Sequence, residues 1–291
     1  MIKFIKFILA IALLIISMMF LAAVTYDYVY INNSTPRNKT QHVIQLENQN
    51  FDYVFLGSSR VENHINNNLI KQKLNKDVIN LGISGANLSD NLLLLKVFIQ
   101  NNKCKELWLQ LDYMFNTDNM SDIVGTDILP YIYSNNIVSN HIKTYNDDYL
   151  YLKYIPFYKY MSSDYKIGFR EFYFNLISKK VKYNLKDGFI PKEGNYVNNN
   201  FKLPTHINDQ NNSLNEIITI CAKEKIKLVL FTAPFSKNTE NISYIDSLKS
   251  KFPNLKDYSR LFDDNKYFKD KGHLNFEGAN LFTETIIQDL E

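Results

Sequence analysis

Short apolar strands alternate with helical segments along much of this sequence, and this alternation is the feature that most constrains its fold. Residues 52–56 and 78–83 are mostly apolar runs that meet glycine, which is typical of buried strands. A helix is predicted between them at 68–75, followed by a helix at 88–99 and a strand at 106–111. Because this β-α-β-α-β order needs crossover connections, it predicts a mostly parallel sheet with helices on both faces.

The C-terminal part continues the same pattern. Residues 214–223 predict a helix, 226–232 a strand, and 276–290 a closing amphipathic helix. The intervening residues 116–212 lack strand alternation and are rich in Tyr, Phe, Asn and Lys. We interpret this aromatic-rich segment as an insertion that packs as a lid. Its tyrosines would also suit the lining of a substrate groove, for which sugars are a fitting ligand.

Length and charge exclude several classes of protein. With 291 residues, 45% of them hydrophobic, the chain can bury one large core, so residues 46–291 are predicted to form one main domain. The net charge of +3 is spread along the chain without a basic stripe, so we expect no nucleic-acid partner. Cys104 and Cys221 show no metal-ligand spacing and predict buried thiols, with a disulfide left open if the domain is exported.

One apolar run is long enough to approach a membrane crossing. Residues 4–24 read FIKFILAIALLIISMMFLAAV, with Lys6 as the one charge. We predict a transmembrane anchor over residues 1–25 and a polar tether over residues 26–45. No second run of this length follows, which excludes a multi-pass transporter.

The basic residues predict how this anchor is oriented. Lys3 and Lys6 precede the apolar run, and no comparable basic cluster closely follows it. The positive-inside rule therefore predicts a cytoplasmic N-terminus and a domain on the outer face of the cytoplasmic membrane. A cleaved signal peptide remains an alternative, because Ala22 and Ala23 fit a cleavage site. The length of the run and the tyrosines that follow it favour the uncleaved anchor.

Two segments with small residues follow predicted strands, where open parallel sheets bind their ligands. The first strand ends at Gly57 and is followed by Ser58 and Ser59, so Ser59 would be exposed at a sharp turn. The strand at 78–83 passes into a loop with Gly85, whose N–H can approach a substrate oxygen closely. Taken singly, each segment is also ordinary turn chemistry.

A third segment offers a base. Asp270 and His273 lie three residues apart, immediately before the last predicted helix. A serine hydroxyl needs an adjacent imidazole to become nucleophilic, and that imidazole needs a carboxylate to hold its tautomer. Only His273 has a carboxylate at this spacing in such a loop. We expect the other histidines to be exposed polar residues, although His64 could edge the same cleft: His42, His64, His141 and His206.

Together the three segments resemble the first, second and fifth sequence blocks of the SGNH/GDSL hydrolases. They read GSS at 57–59, NLGISGA at 80–86 and DKGHLN at 270–275, and the resemblance covers about half of the chain. It implies a catalytic triad of Ser59, Asp270 and His273, an oxyanion hole formed by the N–H groups of Ser59 and Gly85, and neither metal nor organic cofactor. The implied fold is a flavodoxin-like three-layer α/β/α sandwich, which agrees with the alternation of strands and helices.

The sequence departs from the family pattern in two blocks. Ser58 stands where the first block usually has Asp, and the third block, Gly-x-Asn-Asp, is absent, since the corresponding residues 109–113 read LQLDY. A side-chain oxyanion donor is therefore unassigned, with Gln110 and Asn116 as open alternatives. These departures, with the single anchor, are more similar to a membrane-tethered subset that includes DltD and polysaccharide O-acetylation proteins.

The resemblance implies a membrane-anchored serine esterase or O-acyltransferase that acts on acyl esters of cell-surface glycans or envelope polymers. The expected partners are an acylated glycan or acyl-carrier substrate, the membrane itself and a membrane-bound acyltransferase. The alternative is a catalytically inactive SGNH-like binding module of an envelope polysaccharide system, which the missing third block supports. That alternative predicts that loss of Ser59 leaves the biological role intact.

Overall fold

Five parallel strands form one sheet in the computed structural model, which describes residues 1–195 and 200–290. The strand order is β2-β1-β3-β4-β5. This is the flavodoxin-like order, so the predicted α/β/α fold with a parallel sheet is confirmed. The strands are β1 Asn50–Leu56, β2 Val78–Asn80, β3 Lys103–Gln110, β4 Lys227–Thr232 and β5 Lys256–Asp257.

Fourteen α-helices lie within the described residues. They are α1 Ile2–Asn32, α2 Lys39–Gln45, α3 Ser59–Glu62, α4 Asn67–Leu74, α5 Leu88–Asn101, α6 Asp122–Asp127, α7 Asn136–Tyr145, α8 Tyr149–Tyr154, α9 Tyr158–Ser162, α10 Asp164–Ile167, α11 Phe169–Leu176, α12 Asn212–Glu224, α13 Ser243–Lys251 and α14 Phe276–Leu290. Short 3-10 helices cover Tyr113–Asn116, Leu129–Tyr131 and Asn265–Tyr267.

The chain divides into two units. The first contains Met1–Gln41 and Gly125–Val181, and the second contains His42–Val124 and Lys182–Glu291. All five strands belong to the second unit. The sequence predicts one domain over 46–291 that includes the insertion. Residues 125–181 of that insertion instead belong to the same unit as the N-terminal helix. Residues 196–199 of the predicted insertion lie outside the described residues.

In the second unit, helices cover both faces of the sheet. The chain moves from β1 to β2 in one direction and from β2 to β3 in the other, so right-handed crossovers put α4 and α5 on opposite faces. Helix α4 packs with α14, and α5 packs with α12. A buried apolar cluster joins the strand residues Phe55, Trp108 and Phe231 to Phe282 and Ile286 of α14. Burial of each of these side chains stabilises the folded state by roughly 1.5–3 kcal/mol.

In the first unit, α1 is the central element. It packs against α11 and the 3-10 helix Leu129–Tyr131. Within the described residues, it is the one helix long and apolar enough to cross a membrane. It continues past the predicted anchor and ends at Asn32.

The prediction of a polar tether over residues 26–45 is wrong. Helix α1 covers its first part and α2 covers its last part. The ring of Tyr26 stacks on that of Phe172 with centroids 4.0 Å apart, and the buried Tyr30 donates its hydroxyl to the carbonyl of Ile167 at 3.1 Å. These partners come from distant sequence, so the polar composition of the segment concealed its packing.

Candidate active site

Ser59 lies at the first position of α3, directly beyond the carboxyl end of β1. Ser58 caps this helix, since its Oγ accepts the Arg60 N–H at 3.3 Å. Gly57 allows the side chain of Gln110 to approach the turn closely, because a Cβ at position 57 would lie 2.6 Å from Oε1 of Gln110. Ser58 and Arg60 are buried, whereas Ser59 is partly exposed. Of these three residues, Ser59 is therefore the one that reaches the surface.

A continuous chain of hydrogen bonds links the three predicted catalytic side chains. His273 Nε2 lies 2.7 Å from Ser59 Oγ. On the other side of the ring, His273 Nδ1 lies 2.8 Å and 3.0 Å from the two carboxylate oxygens of Asp270. The structure thus brings together Ser59 and His273, which are 214 positions apart in the sequence.

The partners of His273 fix its tautomer. An ionised carboxylate can only accept hydrogen bonds, so Nδ1 must carry the proton and donate it to Asp270. Nε2 of a neutral ring is then left with its lone pair and accepts the hydroxyl of Ser59. This is the arrangement in which an imidazole can remove the serine proton.

Asp270 is held in its charged form by the loop that carries it. Its Oδ1 accepts the N–H groups of Gly272 and His273 at 2.9 Å and 3.0 Å. Burial raises the pKa of Asp270, but these N–H groups and the His273 ring together lower it by more, so its pKa lies below the usual 3.8. The carboxylate is therefore available to the His273 ring throughout the neutral range.

The loop after β2 carries Gly85, which the sequence predicts as the second oxyanion donor. This loop is joined to the turn after β1, since the Ile83 N–H donates to the Gly57 carbonyl at 3.1 Å. Gly85 is exposed and has a φ of +78°, a left-handed conformation that favours glycine. Neither the Ser59 nor the Gly85 N–H donates to another residue in the described part of the chain. Both N–H groups therefore meet one requirement of the predicted oxyanion hole, the absence of an acceptor within the described chain.

The two open alternatives for a side-chain oxyanion donor are both engaged elsewhere. Gln110 accepts the Ser58 N–H and hydroxyl through Oε1, and donates through Nε2 to Asp112 at 2.5 Å. Asn116 donates to the carbonyl of His206 at 2.8 Å. Each amide nitrogen carries two protons and uses one of them in these bonds, so one N–H of each remains. The side-chain donor that the missing third block normally provides stays unassigned.

A buried ion pair that the sequence analysis missed ties three strand ends together beneath the serine. Arg60 donates to Asp112 at 2.9 Å and to the carbonyls of Ala233 and Pro234 at 2.6 Å each. Its guanidinium carbon also lies 3.5 Å from the ring centroid of Phe235. These residues follow β1, β3 and β4. The signals in the sequence were an arginine next to the candidate nucleophile and an aspartate just beyond the third strand.

His64 is a buried support for the loop of His273, and the prediction that it is exposed is wrong. It is 0% exposed, and its Nε2 accepts the Leu274 N–H at 3.0 Å. Its ring meets that of His273 edge-on, with centroids 6.2 Å apart. Burial lowers the pKa of His64 well below 6.5, and it is lowered further by the charge of Arg60 and by that of His273 when its ring is protonated. His64 is therefore neutral.

The remaining histidines divide between buried and exposed. His42 and His141 are buried, contrary to prediction, whereas His206 is exposed as predicted. His141 packs its ring 4.7 Å from that of Tyr145 on the buried side of α7. In residues 1–195 and 200–290, no group of three or more His, Cys, Asp or Glu side chains could hold a metal ion. Both cysteines are free thiols.

Comparisons with known proteins add little to this geometry. No protein-family model matches the chain, and no curated protein matches it. Among solved structures, the chain is similar to a protein from Streptococcus pneumoniae that is named provisionally as a platelet activating factor. The two share 13% sequence identity with a TM-score of 0.43, over 97% of this chain and 99% of that one. A likeness at this level carries no argument about activity, which must come from the site itself.

Proposed function

We propose that this chain is a serine-dependent esterase or O-acyltransferase of the SGNH/GDSL type. One observation carries the proposal, namely the chain of hydrogen bonds from Asp270 through His273 to the Ser59 hydroxyl. Such a chain makes a serine nucleophilic, whereas a binding surface or a scaffold has no need of it. The partial exposure of Ser59, between two buried neighbours, also suits attack on an external substrate.

The first half-reaction forms an acyl-enzyme. Ser59 Oγ attacks the acyl carbonyl carbon while His273 Nε2 takes its proton, and Asp270 stabilises the imidazolium that results. The carbonyl oxygen becomes an oxyanion that accepts hydrogen bonds from the N–H groups of Ser59 and Gly85. The tetrahedral intermediate then breaks its bond to the leaving alcohol, which receives the proton from His273.

The second half-reaction releases the acyl group. Water or a sugar hydroxyl gives its proton to His273 Nε2 and attacks the acyl-enzyme carbonyl. The same two N–H groups stabilise the second oxyanion, which then expels Ser59 Oγ as the proton returns to it. Water as the acceptor gives an esterase, and a sugar hydroxyl gives an O-acyltransferase. The contribution of these two backbone donors depends on the positions of the loops that carry Ser59 and Gly85.

We further propose that the enzyme works on acyl esters of cell-surface glycans or envelope polymers, from the outer side of the cytoplasmic membrane. The apolar length of α1 supports a single crossing, and Lys3 and Lys6 support a cytoplasmic N-terminus. An acyl-carrier substrate and a membrane-bound acyltransferase are the partners that suit this location.

The experiment that tests the proposed chemistry is labelling of the full chain with an active-site-directed fluorophosphonate. We expect the probe to modify Ser59, as located by peptide mass spectrometry, and Ser59→Ala to abolish labelling. His273→Ala should slow labelling on the order of a thousandfold or more, because the serine loses its base. Ser58→Ala is the matched control and should retain labelling, since its hydroxyl is buried against Gln110.

Folding must be checked in each variant by cooperative unfolding. A well-folded wild type that the probe does not label contradicts the proposal and favours the catalytically inactive binding module. Labelling that persists in Ser59→Ala contradicts the assignment of the nucleophile.

A further inference from the structure

The first unit carries an aromatic surface, which we define as the exposed apolar side chains of residues 149–181. This stretch contains eleven Tyr and Phe residues in 33 positions, whereas 14% of the whole chain is aromatic. Several of its largest side chains are more than half exposed: Leu150, Tyr154, Met161, Tyr165, Phe169 and Leu176. Soluble surfaces scatter such residues singly, so their concentration in one short stretch indicates an interaction surface.

The contacts of Tyr26 show which part of α1 lies beside this surface. The apolar run over residues 4–24 rises roughly 30 Å as a helix, which matches the hydrocarbon thickness of a bilayer. Tyr26 follows two residues later, and its ring contacts Phe172 at 4.0 Å and Phe157 at 4.9 Å between centroids. The segment that joins α8 to α9, and helix α11, therefore lie where the apolar span ends.

A pocket of about 480 Å³ continues from the span into the same surface. Phe20 and Val24, from the apolar run, line one part of it, and Tyr154 and Ile155 line another. Its wall is mostly apolar, and the buried Lys159 in it is already paired with Asp27 at 2.6 Å. An apolar chain fits such a space better than a polar ligand does.

The charges beside the rings match a lipid headgroup region. Residues 149–181 hold six basic and two acidic residues. Lys159 and Lys166 are paired with Asp27 and Asp127, so the positive excess comes from the other four: Lys153, Arg170, Lys179 and Lys180. Lys179 Nζ lies 3.9 Å from the ring centroid of Phe174, and Lys153 Nζ lies 5.2 Å from that of Tyr149. Rings with basic heads beside them are typical of side chains at a membrane interface. Anionic headgroups attract such a positive excess.

We propose that helices α8–α11 lie in the headgroup region of the bilayer that α1 crosses, with the aromatic surface against lipid and an acyl chain of a membrane lipid in the pocket. The proposal is independent of the chemistry at Ser59 and rests on α1 as a membrane span. The continuity of the pocket with the span and the positive charge both favour lipid over a second protein as the occupant.

Quenching of tryptophan fluorescence by brominated lipid tests this proposal. The full chain is reconstituted in nanodiscs of phosphatidylcholine with a minority of phosphatidylglycerol, in which the phosphatidylcholine is brominated either high on its acyl chains or near their ends. Tyr154→Trp and Phe169→Trp report on the surface, and Leu14→Trp reports on the span. The single native tryptophan, Trp108, is 1% exposed in the sheet and gives the background.

We expect bromines high on the chains to quench the added fluorescence of Tyr154→Trp and Phe169→Trp about twofold or more, and more than bromines near the chain ends do. Leu14→Trp should show the reverse order. Quenching of Leu14→Trp alone, with water-like emission at the other two positions, overturns the proposal and leaves the span intact. A third outcome is that Tyr154→Trp and Phe169→Trp emit as in an apolar site in native membranes but are not quenched in nanodiscs. This outcome overturns the proposal in favour of a protein partner. Absence of quenching at all three positions removes its basis, the membrane span.

Discussion

At the scale of single residues, two histidines near one turn differ because their surroundings differ. His273 is partly exposed and has a carboxylate on one side and a hydroxyl on the other. The ring of His64 is fully buried and has the Leu274 N–H as its one hydrogen-bond partner among the described residues. The first arrangement suits proton transfer, whereas the second holds a loop in position. In the sequence, the spacing of His273 to Asp270 distinguished the two histidines, but the burial of His64 could not be deduced from that spacing.

Asp270→Asn should slow fluorophosphonate labelling of Ser59 by roughly a thousandfold to ten-thousandfold, with the fold retained. The amide can donate to His273 Nδ1 and so stabilises the tautomer that cannot accept the serine proton. Second-order labelling rates at neutral pH measure the effect. The exposed Asp263→Asn, on the preceding loop, is the matched control, and an equal rate in both variants would rule out Asp270 as the orienting carboxylate.

His64 should make the stability of the protein depend on pH in the mildly acidic range. Its folded-state pKa lies well below 6.5, so the unfolded chain takes up a proton first as the pH falls through about 6.5. The free energy of unfolding should therefore decrease on acidification, by at most about 1.4 kcal/mol per pH unit from this group.

His64→Gln keeps an acceptor for the Leu274 N–H and does not titrate, so it should flatten this part of the curve. Urea unfolding between pH 5 and pH 7 measures the slope. His206→Gln, at an exposed histidine, is the control. If both variants keep the wild-type slope, then His64 is not the group that titrates.

At the scale of elements, the alternation of strands and helices was predictable because each element carries its own pattern. The closing helix at 276–290 is found with the same bounds, and the predicted strand at 226–232 corresponds to β4, Lys227–Thr232. Strand β5 has two residues, too few to show a pattern. The course of residues 26–45 was not predictable either, because its burial depends on rings that the chain supplies more than a hundred residues later.

The candidate site shows the same division between local and distant information. Asp270 and His273 lie in one short loop, so the spacing between them could be read directly from the sequence. The role of Gln110 could not, because it depends on the approach of β3 to the turn after β1. The ion pair of Arg60 with Asp112 likewise joins the ends of two strands 52 positions apart.

Loss of this buried pair should destabilise the protein strongly. Arg60→Met leaves the Asp112 carboxylate buried without its cation, which costs about 3–5 kcal/mol, measured as the free energy of unfolding in urea. Arg260→Met is the matched control, because the pair of Arg260 with Asp246 is exposed. The control should lose less than about 1 kcal/mol.

The double variant Arg60→Met with Asp112→Leu separates charge from packing. It should recover a large part of the lost stability, since no uncompensated charge remains. If the double variant is as unstable as Arg60→Met alone, the contribution of Arg60 comes from its packing on Phe235 and its bonds to the strand-end carbonyls rather than from the ion pair.

At the scale of the whole molecule, the two parts of α1 have features that a removable leader would not combine. Its first part is long and apolar enough to span a membrane, and its last part is buried in the first unit through Val29 and Tyr30. The helix continues through Ala22 and Ala23 without interruption, although these residues would mark the cleavage site of a signal peptide. A continuous helix that enters its own domain favours an anchor that is retained.

The chain recovered from the membrane fraction of expressing cells should therefore retain residues 1–23 and resist extraction by alkaline carbonate. Intact-mass spectrometry distinguishes the two forms, because signal-peptidase cleavage after Ala23 would give a chain that begins at Val24. Such a chain would keep Tyr26 and Tyr30, so the first unit would retain its aromatic contacts. It would lose the apolar run of α1, including Phe20, which lines the pocket. A mass that corresponds to a Val24 start, found in the carbonate-soluble fraction, would contradict a retained anchor and favour a secreted protein. The aromatic surface would then need a partner other than the bilayer that α1 is proposed to cross.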